Sequence, residues 1–259
     1  MEDTIARVSR IFGEIPLEVW EDIVRLEPEW FHMEDIFKKY GFGRFATLML
    51  ITGLNDYQLK GKAEEAYWPQ LKELLQKSKV PESPQELKEL LSPFYQRERF
   101  YKAKLDRLDR FLSSKLAQNV WSATPEEVAN NFLQIWHELA QTMRQTKEAK
   151  TITFAMKCLG IALLMAGEPN FNFEKIPIPI DVRVRNFTKR LGFEAERDDE
   201  LRSIWNRILE ETRKKVPINM IHLDSLIWQI GNLDNEEIAA YFRKLGRETV
   251  GQKLIEVLR

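Results

Sequence analysis

Between Thr151 and Gly167 the chain runs almost without a polar break, as Thr-Ile-Thr-Phe-Ala-Met-Lys-Cys-Leu-Gly-Ile-Ala-Leu-Leu-Met-Ala-Gly. The run is shorter than the roughly 20 residues that cross a bilayer, and it contains Lys157, so it reads as a buried core helix. Elsewhere helical periodicity dominates, alternating β-branched runs are few, and no Asn-Gly hairpin signal is present. The fold class expected is all-α.

The pattern predicts helices over residues 2–12, 17–26, 30–40, 42–50, 64–76, 84–91, 96–115 and 125–143, then the apolar helix, then 180–191, 196–212, 224–231 and 235–245. Two starts carry capping chemistry, Ser83-Pro-Gln-Glu86 and Thr124-Pro-Glu-Glu127, each with a hydroxyl before proline and a carboxylate three residues on. There is no internal repeat and no low-complexity tract.

With 259 residues, 44% of them hydrophobic, the chain can bury a substantial core without covalent staples. The single cysteine, Cys158, excludes an intramolecular disulfide and any cysteine-rich cluster, and three histidines make a multi-histidine site unexpected. No metal and no cofactor are expected. Charged residues reach 31% yet nearly cancel to a net charge of -1, so any contact with phosphates depends on local clusters. The start, Met-Glu-Asp-Thr-Ile-Ala-Arg, lacks the basic and apolar blocks of a signal peptide, and a cytoplasmic protein with no membrane partner is expected.

The helices expected at 125–143 and 151–167 are joined by Arg144-Gln-Thr-Lys-Glu-Ala149. Such a pair is a helix-hairpin-helix candidate able to present a hairpin and a helix N-terminus to phosphate, although most short helical hairpins only pack. Lys150 stands in the first turn, where the helix dipole opposes an ammonium; that field, with partial burial, favours the neutral amine that attacks carbon. A solvated lysine is the plain alternative. Beyond the apolar helix, Ile176-Pro-Ile-Pro-Ile-Asp181 sets Asp181 at a helix start, where an ordinary N-cap explains it. The ordered set of polar hairpin, Lys150, apolar helix, prolines and Asp181 followed by Val-Arg-Val-Arg185 exceeds what capping requires.

That set resembles the helix-hairpin-helix DNA glycosylases, and specifically the archaeal 8-oxoguanine glycosylase/lyase family called AGOG. Gly61-Lys-Ala-Glu-Glu-Ala-Tyr-Trp68, Lys150-Thr-Ile-Thr-Phe154, Ile176-Pro-Ile-Pro-Ile-Asp181 and His222-Leu-Asp-Ser-Leu-Ile-Trp228 are similar to the family's signature segments, in order. The resemblance implies two helical subdomains flanking a cleft, residues 66–175 ending in the helix-hairpin-helix and residues 1–65 with 176–259. It implies Lys150 as nucleophile and Asp181 as its helper, with Lys147 and Lys157 as rival nucleophiles. Trp68 and Trp228 are the matching positions for stacking on an extruded base, with core packing as the alternative role.

A pocket for 8-oxoguanine needs an acceptor facing N7, which is an N–H donor only in the oxidised base. Asp224, one turn before Trp228, could supply it or could cap its helix; Glu29 occupies the position of a family glutamine. Phe154 forms a pocket wall or belongs to the core, and Lys157 lies in phase on the same helix. Phosphate contacts are expected from Arg144, Lys147, Arg183 and Arg185, with Lys189 and Arg190 farther off. The hairpin lacks the glycines of the wider superfamily, as the AGOG family does, and one cysteine excludes the four-cysteine cluster of some branches. The implied function is excision of 8-oxoguanine through a lysine Schiff base with β-elimination of the strand, by a monomer acting on DNA. A non-catalytic helix-hairpin-helix DNA-binding module and a helical protein-interaction domain are the rival readings.

Overall fold

The computed structural model describes residues 2–258. Among them are seventeen α-helices, one π turn and one 3-10 turn, with no strand, in keeping with the helical periodicity. The chain divides into two compact units: residues up to Glu27 together with those from Ile176 onward, and Pro28–Lys175.

The first unit begins with α1 (Glu2–Phe12) and α2 (Leu17–Arg25). The second unit holds α3 (Pro28–Phe31), α4 (Glu34–Tyr40), α5 (Phe42–Asn55), α6 (Trp68–Lys77), α7 (Pro84–Tyr95) and α8 (Tyr101–Leu112). It continues with α9 (Lys115–Ser122), α10 (Pro125–Asn130), α11 (Phe132–Met143) and α12 (Lys150–Met165). The chain then returns to the first unit for α13 (Val182–Arg190), α14 (Asp198–Arg213), α15 (Met220–Ile230), α16 (Asn235–Lys244) and α17 (Glu248–Ile255).

The second unit is organised by α5 against α12. Every residue of α5 from Phe45 to Asn55 is buried, and so is every residue of α12 from Ala155 to Leu163. Two helices that are apolar all round must lie inside their unit, and they can approach closely only where one lacks a side chain. Gly53 is that point: a Cβ there would lie 2.9 Å from Ala155 Cα and 2.9 Å from Cys158 Sγ. Because α3 and α4 also pack on α12, residues 28–65 belong with the second unit. The boundary expected at residue 65 therefore falls after Glu27.

In the first unit α1 packs on α14 and α2 on α15. Trp20 and Trp205 are fully buried there; Trp205 donates its indole N–H to Thr188 Oγ1 at 2.9 Å, and Phe12 meets Trp20 edge-on at 5.8 Å. No helix among the described residues is long and apolar enough to cross a membrane.

Local chemistry explains where the helices depart from the periodic reading. The helix expected over 125–143 breaks at Asn131, whose backbone leaves the helical region and whose side chain caps Glu127 O at 2.8 Å. The one expected over 96–115 is interrupted by Phe100, with φ 54°, and starts afresh as α8; α9 and α17 were not marked by the pattern. A π turn, Ala63–Tyr67, precedes α6 and feeds into Trp68. Ser83 and Thr124 cap as expected, each accepting from the backbone N–H three residues on at 3.2 Å.

Alanine favours a helix interior over glycine by about 1 kcal/mol, yet the backbone of α12 leaves no room at Gly53. Gly53→Ala is expected to lower stability by about 1–3 kcal/mol, read as a reduced urea midpoint at unchanged m-value. A midpoint equal to wild type would mean that α5 and α12 part without cost.

Candidate active site

The hairpin between α11 and α12 turns through Arg144, which takes the left-handed conformation at φ 54° that glycine commonly fills. Its N–H bonds to Gln141 O at 3.0 Å and the next N–H, of Gln145, reaches back to Ala140 O at 3.0 Å, the paired closure of a Schellman turn. An arginine thus makes the turn that the missing glycine would make, at a cost of roughly 1–2 kcal/mol in backbone strain. The loop is pinned from both sides. Trp136 Nε1 donates to Lys147 O at 2.7 Å, the Lys147 ammonium lies 4.7 Å from the Trp136 ring centre, and Thr151 Oγ1 donates to Gln145 Oε1 at 3.1 Å.

Lys150 is the first residue of α12, and the preceding Ala149 offers no side-chain cap. The first-turn N–H groups therefore point from the hairpin with no side chain of the N-cap accepting from them. The lysine is exposed, where partial burial is expected from its place at the mouth of an apolar helix. Phe154 and Lys157 follow on the same helical face, Phe154 partly exposed and Lys157 buried with its ammonium 5.7 Å from the Phe154 ring centre.

Asp56, at the C-terminal end of α5, joins this group, and no motif in the sequence singles it out. Its carboxylate accepts from Trp68 Nε1 at 3.0 Å, and Lys150, Lys104 and Lys157 all act on it electrostatically. Burial nonetheless pushes the Asp56 carboxyl up to about 6, against the opposing pull of the Trp68 hydrogen bond and the three lysines. Trp68 itself is fully buried, with Tyr67 edge-on at 5.3 Å; Tyr67 Oη donates to Thr52 O at 2.8 Å. Glu29 is buried on α3, one of the helices packed against α12. The only sequence trace of Asp56 is a polar residue ending an apolar helix; its link to Trp68 spans twelve positions and leaves no local spacing to read.

The first unit carries the remaining candidates. Asp181 is the N-cap of α13, accepting from Val184 N at 2.9 Å, and it is partly exposed. It follows a segment in which every residue from Ile176 to Ile180 is buried, with the two prolines adding stiffness. α15 begins at Met220, not at 224, and its cap is Asn219, which accepts from Ile221 N at 2.9 Å. Asp224 is thus not a cap: it lies inside the helix, buried, one turn before the partly exposed Trp228. Burial lowers the neighbouring His222 to about 4, against a raising backbone bond to Asn219, so its ring is neutral at pH 7.

Of the expected phosphate contacts, Arg144 and Arg185 are exposed and Lys147 is half-buried over Trp136. Arg185 donates to Glu196 O at 2.9 Å and pairs with Asp198. Arg183 is turned onto Trp228, its guanidinium 4.1 Å from the ring centre. Arg190 is tied to Leu233 O and Asn235, while Lys189 is exposed.

These features define an all-α helix-hairpin-helix protein with an amine at the mouth of the hairpin. The chain matches the AGOG family, N-glycosylase/DNA lyase, over residues 9–258, and it belongs to that family. An N-glycosylase/DNA lyase of Thermococcus kodakarensis is 29% identical over 190 residues, covering 72% of this chain and 67% of its own length. One of Nanoarchaeum equitans is 31% identical over 140 residues, covering 53% and 56%. The crystal structure of Pa-AGOG, 8-oxoguanine DNA glycosylase from Pyrobaculum aerophilum, complexed with 8-oxoguanosine, shares the fold. Its TM-score is 0.72 over 99% of this chain and 96% of that one, at 20% identity.

The raised Asp56 carboxyl has a consequence for stability. Between its ordinary 3.8 and its folded value of about 6 the folded chain holds a proton that the unfolded chain has lost. Stability therefore falls as pH rises through this window and stays reduced above it. Asp56→Asn keeps an acceptor for Trp68 and removes the charge, so its advantage over wild type should grow from pH 4 to pH 7 and reach about 1–2 kcal/mol for a partly exposed carboxyl. Denaturation midpoints measured across that range check this; parallel curves for the two proteins would contradict it.

Proposed function

We propose that this enzyme excises 8-oxoguanine from DNA and then cleaves the strand, with Lys150 as nucleophile and Asp181 as its helper. The observation that carries the reading is the setting of Lys150. It is an exposed amine opening a buried helix, beside the Asp56–Trp68 pair, on a hairpin rigidly closed by Arg144 and Trp136.

A base inside a duplex is out of reach of any amine, so the lesion is first extruded, at an unstacking cost of a few kcal/mol. Trp228 offers a partly exposed indole on which the base stacks, worth roughly 1–3 kcal/mol. Phe154, partly exposed, is the proposed pocket wall, with Lys157 against it; Trp68, fully buried, keeps its alternative role in the core. Asp224 or Glu29 accepts from N7–H of the oxidised base; normal guanine presents a lone pair there and would leave two acceptors opposed.

Neutral Lys150 attacks the sugar C1′ as the N-glycosidic bond breaks and its electron pair leaves with the base. Ionised Asp181 stabilises the positive charge on the sugar and relays the proton released by the amine. Ring opening gives a Schiff base, which acidifies the C2′ proton; its loss expels the 3′ phosphate by β-elimination. One lysine thus supports both steps and the scheme calls for no cofactor. Arg144, Lys147 and Arg185 meet backbone phosphates, and the enzyme works in the cytoplasm as a monomer.

Borohydride reduction during turnover of an 8-oxoguanine duplex tests the reading. Wild type is expected to yield a covalent protein–DNA adduct and Lys150→Gln none. Asp181→Asn, which retains the cap on Val184, is expected to slow single-turnover excision by about 10²–10⁴ with duplex affinity nearly unchanged. No wild-type adduct, or an undiminished adduct from Lys150→Gln, would sink it; DNA binding without an adduct would instead mark a non-catalytic module.

A further inference from the structure

Arg183 sits two residues beyond Asp181, in the first turn of α13, and it does not reach outward. Its guanidinium carbon lies 4.1 Å from the centre of the Trp228 ring, and its Nη1 donates to the Trp228 carbonyl at 2.7 Å. The same side chain therefore holds both the ring and the backbone of one residue. α13 and α15 come together tightly enough to allow this because residue 231 has no side chain. A Cβ at Gly231 would lie 3.0 Å from Arg183 Cβ and 3.0 Å from Arg183 O.

We infer that Arg183 is a positioning residue for base recognition, acting through Trp228 and not through a phosphate. The inference rests on the reading of Trp228 as the residue on which the base stacks. A planar guanidinium over the indole occupies one face of the ring and leaves a base only the other. The bond to the Trp228 carbonyl fixes the helix turn from which the ring projects, so the indole is held before the base arrives and little side-chain entropy is lost on binding. Lysine carries the same charge but has neither the flat stack nor the fork that lets one group serve ring and carbonyl together.

Free 8-oxoguanosine has no phosphate, and this separates the two roles. Full-length wild type, Arg183→Lys and Arg183→Met are compared for 8-oxoguanosine affinity by calorimetry, and for salt dependence of affinity on undamaged duplex. Both variants are expected to bind the nucleoside about tenfold more weakly, with Arg183→Lys failing to rescue, while the slope of log affinity against log salt matches wild type. Unchanged nucleoside affinity with a slope shallower by about 1 would make Arg183 a phosphate anchor and overturn the inference. Unchanged affinity and slope with only a lower melting temperature would overturn it too, as a merely structural role. Should wild type neither bind 8-oxoguanosine nor form the borohydride adduct, the functional reading falls and the inference with it; a wild type that does both confines any failure to Arg183.

Discussion

The second unit depends on the contact of α5 with α12 through Gly53. α12 is apolar on every side over most of its length, and a helix of that kind has no stable place except inside a unit whose other helices enclose it. Its first turn is carried on that enclosed segment, which is buried from Ala155 to Leu163. A flexible lysine side chain then starts from an anchored backbone, which is what the proposed nucleophile, aimed at one carbon, requires. The close approach at Gly53 also fixes α5, and with it Asp56 at the helix end, so one packing contact sets the origin of both the amine and a carboxylate on which it acts.

The electrostatics around that contact are unusually dense for a buried region. Asp56 answers to Lys150, Lys104 and Lys157, and Lys104 is fully buried with its ammonium 3.3 Å from Glu98 and 5.2 Å from the Tyr57 ring centre. Burial pulls Lys104 down from its ordinary value while Glu98 and Asp56 push it up. In this setting burial opposes both signs of charge, and opposite neighbours offset it on each side. The first unit solves a different problem with different means: Asp181 is stabilised as an N-cap, and Arg183 is spent on holding an aromatic ring.

The all-α class and the buried helix were legible because a long apolar run and 3.6-residue periodicity are local signals. The order of the four family-like segments was equally visible, and it identified Lys150, Asp181, Trp68 and Trp228 as residues to examine. What escaped were features set by tertiary contact or by backbone conformation. The unit boundary lies after Glu27 because α3, α4 and α5 all lean on a helix more than a hundred positions away, and nothing in the 28–65 segment announces that partner. Asp56 was invisible because its partner Trp68 follows a π turn and a loop. Arg144 hid the hairpin's left-handed residue behind a side chain that sequence rules do not expect there, and Arg183 read as a surface cation because stacking on Trp228 spans two helices.

In the proposed reaction the amine doing the chemistry belongs to Lys150 and not to Lys147 or Lys157, the other two lysines of the hairpin and its helix. Digestion of the borohydride-reduced protein–DNA adduct, followed by peptide mass spectrometry, locates the sugar remnant on one lysine. The remnant is expected on Lys150 alone, since Lys147 is held over Trp136 and Lys157 is buried. A remnant on Lys147 or Lys157 would contradict it.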